Sequence, residues 1–242
     1  MAKRSLYIQT FPEQHYSISS GIGFQLFYDA ILNKPNNMLL LSNAFAYAKF
    51  DQDIFFEYAD SSTIPLLYQD DIHNYGDFCW VDYSNDEVKK KLKPNVLAEL
   101  LYLNHYKKPL HSPFWNELQN AYAYLAHDDP WWTKIYMQDI DLMKAVVHHK
   151  LLIELRGRKK SIANIPSDIF ETIWARSELG LAVDFENAST SSDCTSVTIY
   201  TMGAYENMDE MYQRLRWLRT KRVSDSVRLE YNPRNKKWNI YT

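Results

Sequence analysis

Glycine is scarce in this chain: 6 of 242 residues, none in GxGxxG or GxxxxGK[ST] order. Loops that cradle phosphates need glycine so that backbone amides can approach the ligand. The scarcity therefore counts against an ordinary nucleotide-binding enzyme. Cysteine is limited to Cys79 and Cys194, far apart and without metal-type spacing. That excludes a disulfide framework or zinc ribbon and points to a reducing compartment. Long apolar runs are also missing. Stretches such as Met38 to Leu41 fall far short of the roughly 18 residues that cross a bilayer, so no membrane association is expected. The start MAKRSLYIQTF is basic but lacks the apolar run and cleavage site of a secretory signal, and a cytoplasmic location is expected. No serine sits in a GxSxG elbow, and the hydroxyl-rich NASTSSDCTS has no histidine beside it to activate a nucleophile.

What is present is apolar and aromatic material: 46% hydrophobic and 15% aromatic residues, enough to fill a sizeable core. Tyrosine is abundant, 18 residues, much of it in runs such as Tyr102 to Tyr106 and Tyr122 to Tyr124. Tyrosine supplies contact area at low entropic cost and is enriched at interfaces. It also fills cores with one wet end. The net charge of −3 conceals an asymmetry. Through Met143 the chain has 11 Lys and Arg against 18 Asp and Glu, and after it 16 against 12. Such a split fits either an anionic partner or two halves attracting each other within one fold, and we favour the second.

Residue patterning predicts an α+β fold in one globular domain over 1–242, with a helix-rich middle between N-terminal strands and a C-terminal β, helix and hairpin segment. A soft division separates an acidic helical part, 1–157, from a basic α+β part, 158–242. Ser5 to Phe11 suits a strand and Ser19 to Leu32 a helix. Met38 to Phe50 reads as helix or strand, Asp53 to Tyr58 as a buried strand, and Thr63 to Tyr83 as loop with a strand near Phe78 to Val81. Helices are expected after Asp86, restarting at Pro94. Ser112-Pro113 has the grammar of a helix start and predicts a helix to about His127, with Asp129-Pro130 opening another. Apolar residues from Ile140 to Leu155 keep helical spacing, and Ser167 caps a further helix. Leu181 to Glu186 and Ser196 to Thr201 read as paired strands. Asn207 and Glu210 form a capping-box start, and Val227 to Ile240 a hairpin turned at NPRNKK.

Three clusters carry candidate chemistry. His127, Asp128 and Asp129 in LAHDDPWW are the side-chain types of a metal or acid–base site. The same residues also read as a helix stop and start, with His127 at one C-terminus and Asp129 capping the next helix; this reading is the more economical. Asp70, Asp71 and His73 form a second candidate metal group, in a loop. His148 and His149 are adjacent, about 100° apart on a helix, so they rarely share one ion. The basic tail from Arg214 onward offers Arg219, Arg222, Arg234, Lys236 and Lys237 as partner-binding residues. It resembles the helix and wing of winged-helix DNA binders over that stretch alone, lacks the preceding helices, and gives no family assignment.

The sequence leads to an expected role as a non-enzymatic interaction protein that binds another macromolecule, most plausibly a protein, in the manner of an inhibitor or immunity partner. No cofactor is expected. The alternatives are nucleic-acid binding through the basic C-terminal helix and hairpin, and a metal-dependent hydrolase or nuclease using the His/Asp clusters.

Overall fold

The computed structural model describes residues 5–42, 45–70, 77–127, 132–156, 162–191, 194–205, 207–220 and 226–241. Its centre is a hairpin of β1 (Ser5–Phe11) and β2 (Tyr16–Ser20). After β2 come α1 (Phe24–Ala30), β3 (Asn37–Ser42), β4 (Lys49–Asp51), β5 (Phe56–Asp60), α2 (Ile64–Gln69) and β6 (Phe78–Asp82). Next are α3 (Asp86–Lys89), α4 (Pro94–Tyr106), β7 (Tyr122–His127), β8 (Trp132–Met137), α5 (Leu142–Arg156) and α6 (Ser167–Trp174). The chain closes with β9 (Leu181–Thr190), β10 (Thr195–Thr201), α7 (Met208–Thr220), β11 (Ser226–Asn232) and β12 (Lys237–Tyr241). All twelve described strands join one antiparallel sheet, ordered β12-β11-β10-β9-β1-β2-β8-β7-β6-β3-β5-β4.

Strand alternation sends neighbouring side chains to opposite faces, and both faces of this sheet are packed. Leu6, Ile8, Tyr124, Ile135 and Val183 meet α1, α2, α5 and α6 on one face. On the other, Leu39, Cys79, Val81 and Leu125 meet α3 and α4, while Tyr7, Ala182 and Tyr200 meet α7. The helices on this second face stand over the two wings of the sheet, leaving its middle, β1, β2 and β8, open between them. No described helix is long and apolar enough to cross a membrane.

The α+β class holds, but the helix-rich middle does not. The helix expected from Ser112 to His127 is replaced by turns and β7. Ser112 Oγ does accept the Phe114 amide, at 3.3 Å. The turn is then taken over by buried Asn120, whose Oδ1 accepts the Trp115 amide at 2.8 Å while Nδ2 donates to the Pro113 and Tyr122 carbonyls. These bonds satisfy the backbone groups that a helix would have paired internally, and the left-handed Gln119 at φ 54° completes the corner. YAYLAH then runs as a strand buried on both faces, where polarity alternation, the usual strand signal, is erased. His127 therefore ends a strand opposite Trp132 rather than a helix. The helix expected to open at Asp129-Pro130 falls partly outside the described residues, and by Trp132 the chain is β8.

Smaller corrections follow the same logic. The helix expected from Ser19 starts only at Phe24, because β2 continues to Ser20 and Gly21, at φ +90°, makes the turn. The span from Met38 resolves as strand, and α2 occupies part of the expected loop after Thr63. β1, α5, the β9–β10 pair and the β11–β12 hairpin stand where expected. Asn207 Oδ1 accepts the Glu210 amide at 3.0 Å as α7 begins. β9 pairs with β1, so the sheet itself continues across residue 157.

Candidate functional site: a cleft across the open middle of the sheet

The open middle of the second face forms a cleft with two lobes. One, of about 420 Å³, is floored by Gln9, Phe11, Tyr16, Ile18, Trp132 and Lys134; Tyr106 to Lys108 wall one side and Ala204 and Tyr205 the other. The second, of about 520 Å³, continues past Lys108 and Lys134 to His15 and the 109–114 segment. Tyr16, Lys108 and Lys134 line both lobes, so the two are one groove with these residues at its waist.

The floor follows from strand alternation. Tyr16 and Ile18 on β2 and Trp132, Lys134 and Tyr136 on β8 all project to this face, with Tyr16 opposite Tyr136 and Ile18 opposite Lys134. Phe11 stacks on Tyr16 at 4.4 Å between ring centroids. On Tyr16's ring also rests the Lys134 ammonium, 4.2 Å from the centroid and 5.1 Å from that of Tyr136, a cation–π pairing. Among the described residues no carboxylate lies within ion-pair distance of Lys134. Burial, reinforced by the positive charge of Lys108, pushes its ammonium down to about 8.

The walls are fixed by side-chain to backbone contacts. Tyr136 Oη donates to the Lys107 carbonyl at 3.5 Å, holding the end of α4, where Lys107 turns left-handed at φ 59°. On the far wall Trp132 stacks on Tyr7 at 5.8 Å, and Tyr205 meets Tyr7 edge-on at 6.0 Å. Tyr7 Oη donates to the Gly203 carbonyl at 2.9 Å. Gly203 in turn packs so closely on Gly180 that a Cβ there would lie 2.0 Å from its carbonyl oxygen.

His127 borders the first lobe and is buried. Asp77 Oδ2 lies 3.1 Å from its Nδ1, and Cys79 Sγ lies 3.6 Å from Nε2. Acid, imidazole and thiol in this order are the parts of a nucleophilic triad. The thiol, however, is sealed in the α4 core at 0% exposure, and burial pushes it up to about 12, so the reactive thiolate is disfavoured. Asp77 and Cys79 flank the ring from its two nitrogens, as triad members do, so it is the sealing of the thiol that sets this group apart from a reactive site. Among the described residues no three His, Cys, Asp or Glu side chains form a metal-ligand group.

The other sequence candidates are scattered. Asp128 and Asp129 lie outside the described residues, as do Asp71 and His73; Asp70 follows α2 as its C-cap. Arg219 is held by buried Asp184, Nε to Oδ2 at 2.9 Å and Nη2 to Oδ1 at 2.6 Å, and by Glu186 at 2.8 Å. Arg222 lies outside the described residues. Arg234 and Lys236 lie in the β11–β12 turn and Lys237 begins β12, with both lysines exposed. His148 meets Phe170 edge-on at 5.1 Å. Sequence reasoning passed over Lys134, Tyr16 and Phe11. The signal was the alternation of Trp132, Lys134 and Tyr136, which reads as one strand face once the segment is recognised as β. No family model, curated protein or solved structure matches the chain.

Proposed function

We propose that the protein is a non-enzymatic binding protein whose partner is another protein, in the manner of an inhibitor or immunity partner, and that the two-lobed cleft is the contact surface. The observation that carries this reading is Lys134: a cation half-sunk between tyrosine rings on the cleft floor, with no carboxylate beside it among the described residues. A desolvated cation of this kind favours a partner that supplies the missing charge. The aromatic floor adds contact area at little entropic cost, and the Cys79 thiol nearest the cleft is sealed in the core.

The test is affinity capture from the native host, with wild-type chain, a rim variant carrying Tyr106→Glu and Lys108→Glu, and a distant variant carrying Lys236→Gln and Lys237→Gln. The expected result is a stoichiometric protein partner held by the wild type and the distant variant and lost from the rim variant. Retention of that partner by the rim variant, or failure to capture any, refutes the reading.

A further inference from the structure

We infer that the cleft seats an extended, acidic segment of its protein partner, with its carboxylates gathered at the waist where Lys108 and Lys134 meet. The inference rests on the proposed role as a protein-binding protein and adds the chemistry of what is bound.

Shape is the first argument. The two lobes lie end to end and share their waist residues. An occupant that fills both is elongated and must cross Lys134 and Lys108. Charge is the second. Among the described residues, three lysines, Lys107, Lys108 and Lys134, line the two lobes against a single acid, Glu13, and His15, His111 and His127 complete the polar lining. This basic lining occurs in a chain of net charge −3, so it is a local concentration and not a reflection of overall composition. Lys107 and Lys108 partly balance the negative end of the α4 dipole; Lys134, on β8, has no such function.

An acidic peptide suits these groups better than a single-stranded nucleic acid, the other polyanion that aromatic-lined sheets accept. Base stacking needs open ring faces. Tyr16 is covered by Phe11 on one side and approached by the Lys134 ammonium, and Trp132 gives a face to Tyr7. Among the described residues neither lobe is lined by arginine, the side chain whose fork matches phosphate oxygens. Lysine ammoniums serve as point charges for carboxylates.

The experiment is fluorescence anisotropy of a labelled oligo-glutamate peptide titrated with the full chain, alongside a serine-glycine peptide of equal length and a labelled oligothymidylate. The expected result is binding of oligo-glutamate alone, falling with salt, weakened about tenfold or more by Lys134→Met, as loss of a charge-assisted bond implies. Lys108→Glu, on the exposed rim, is expected to weaken it likewise, and Lys236→Gln to leave it unchanged. Circular dichroism establishes that each variant is folded. No binding of oligo-glutamate, binding indifferent to both cleft variants, or preference for oligothymidylate overturns the inference. If a captured native partner is still lost from the rim variant while oligo-glutamate fails, the acidic-segment assignment falls and the protein-binding reading stands.

Discussion

Replacing Arg219 by leucine tests how the basic C-terminal segment is used. Asp184 is 1% exposed and Arg219 binds it through two nitrogens. Removing one member of a buried ion pair leaves the other charge without its counterpart, at a cost of about 3–5 kcal/mol. Three donors remain on Asp184: the Glu186 and Asn187 amides and the Asn187 side chain at 2.8 Å. Their presence places the expected loss near the lower bound, about 3 kcal/mol. Glu186 is 47% exposed, and its share is small because solvent screens it. With an m-value of about 3 kcal/mol per molar urea for a chain of this size, the unfolding midpoint should fall by about 1 M. Urea titration followed by far-UV circular dichroism measures it. Adding Asp184→Asn should recover much of the loss, because the buried charge then goes too. A loss below about 0.5 kcal/mol, the range of ordinary surface substitutions, or no recovery in the double variant, would refute the account of Arg219 as a clamp on β9.

Further predictions concern the cleft and the core. Gly180→Ala should destabilise by about 3 kcal/mol or more, since the new Cβ meets backbone at φ +79°; thermal melts should rank it above Gly203→Ala, with open space but φ +97°, and above Gly23→Ala, with neither obstacle. Oligo-glutamate binding should weaken as pH rises through about 8, because Lys134 loses its proton there, while burial raises the Tyr16 and Tyr136 hydroxyls beside it so that they stay neutral; a flat profile from pH 7 to 9 contradicts the role given to Lys134. Burial raises Asp82 to about 6 despite the Ala121 and Tyr122 amides it accepts. The folded chain therefore holds a proton that the unfolded chain has released above about pH 4, so Asp82's contribution favours folding at low pH and is lost as pH rises through 6. Asp82→Asn should flatten the stability profile between those limits, and an unchanged profile counts against the assignment.

The periphery of the fold was more legible than its centre, for a physical reason. β11 exposes alternate residues, burying Val227, Leu229 and Tyr231 while Arg228 points to solvent, and α7 buries only one stripe, Met211, Leu215 and Leu218. Their patterns survive in the sequence. β6 and β7 are covered on both faces, so Tyr122 to His127 shows no polar alternation. There the helix grammar of Ser112-Pro113 prevails in a local reading, and only Asn120, bonded across the corner, settles the matter. The cleft was invisible for a related reason. Its floor comes from β1, β2 and β8, brought together by strand order, and its walls from residues beyond the end of α4 and before α7. Among the described residues His127 is the one site residue named from the sequence that borders it, and it does so from a strand rather than from the end of a helix.

The place of β1 in the sheet bears on synthesis. Its inner edge is covered at once by β2, the next strand made. Its outer edge is covered by β9, where Ser5 lies opposite Asp184, nearly 180 residues later. At about 5–20 residues per second, a nascent chain carries that edge uncovered for on the order of ten to thirty seconds. Through that interval the row of amides and carbonyls on β1 is open to any other strand, including the β1 of a neighbouring chain on the same message. The seam that unites the two wings is thus made before the other eleven described strands and is closed only by β9, and crowded translation is the condition under which this chain is most exposed to mispairing.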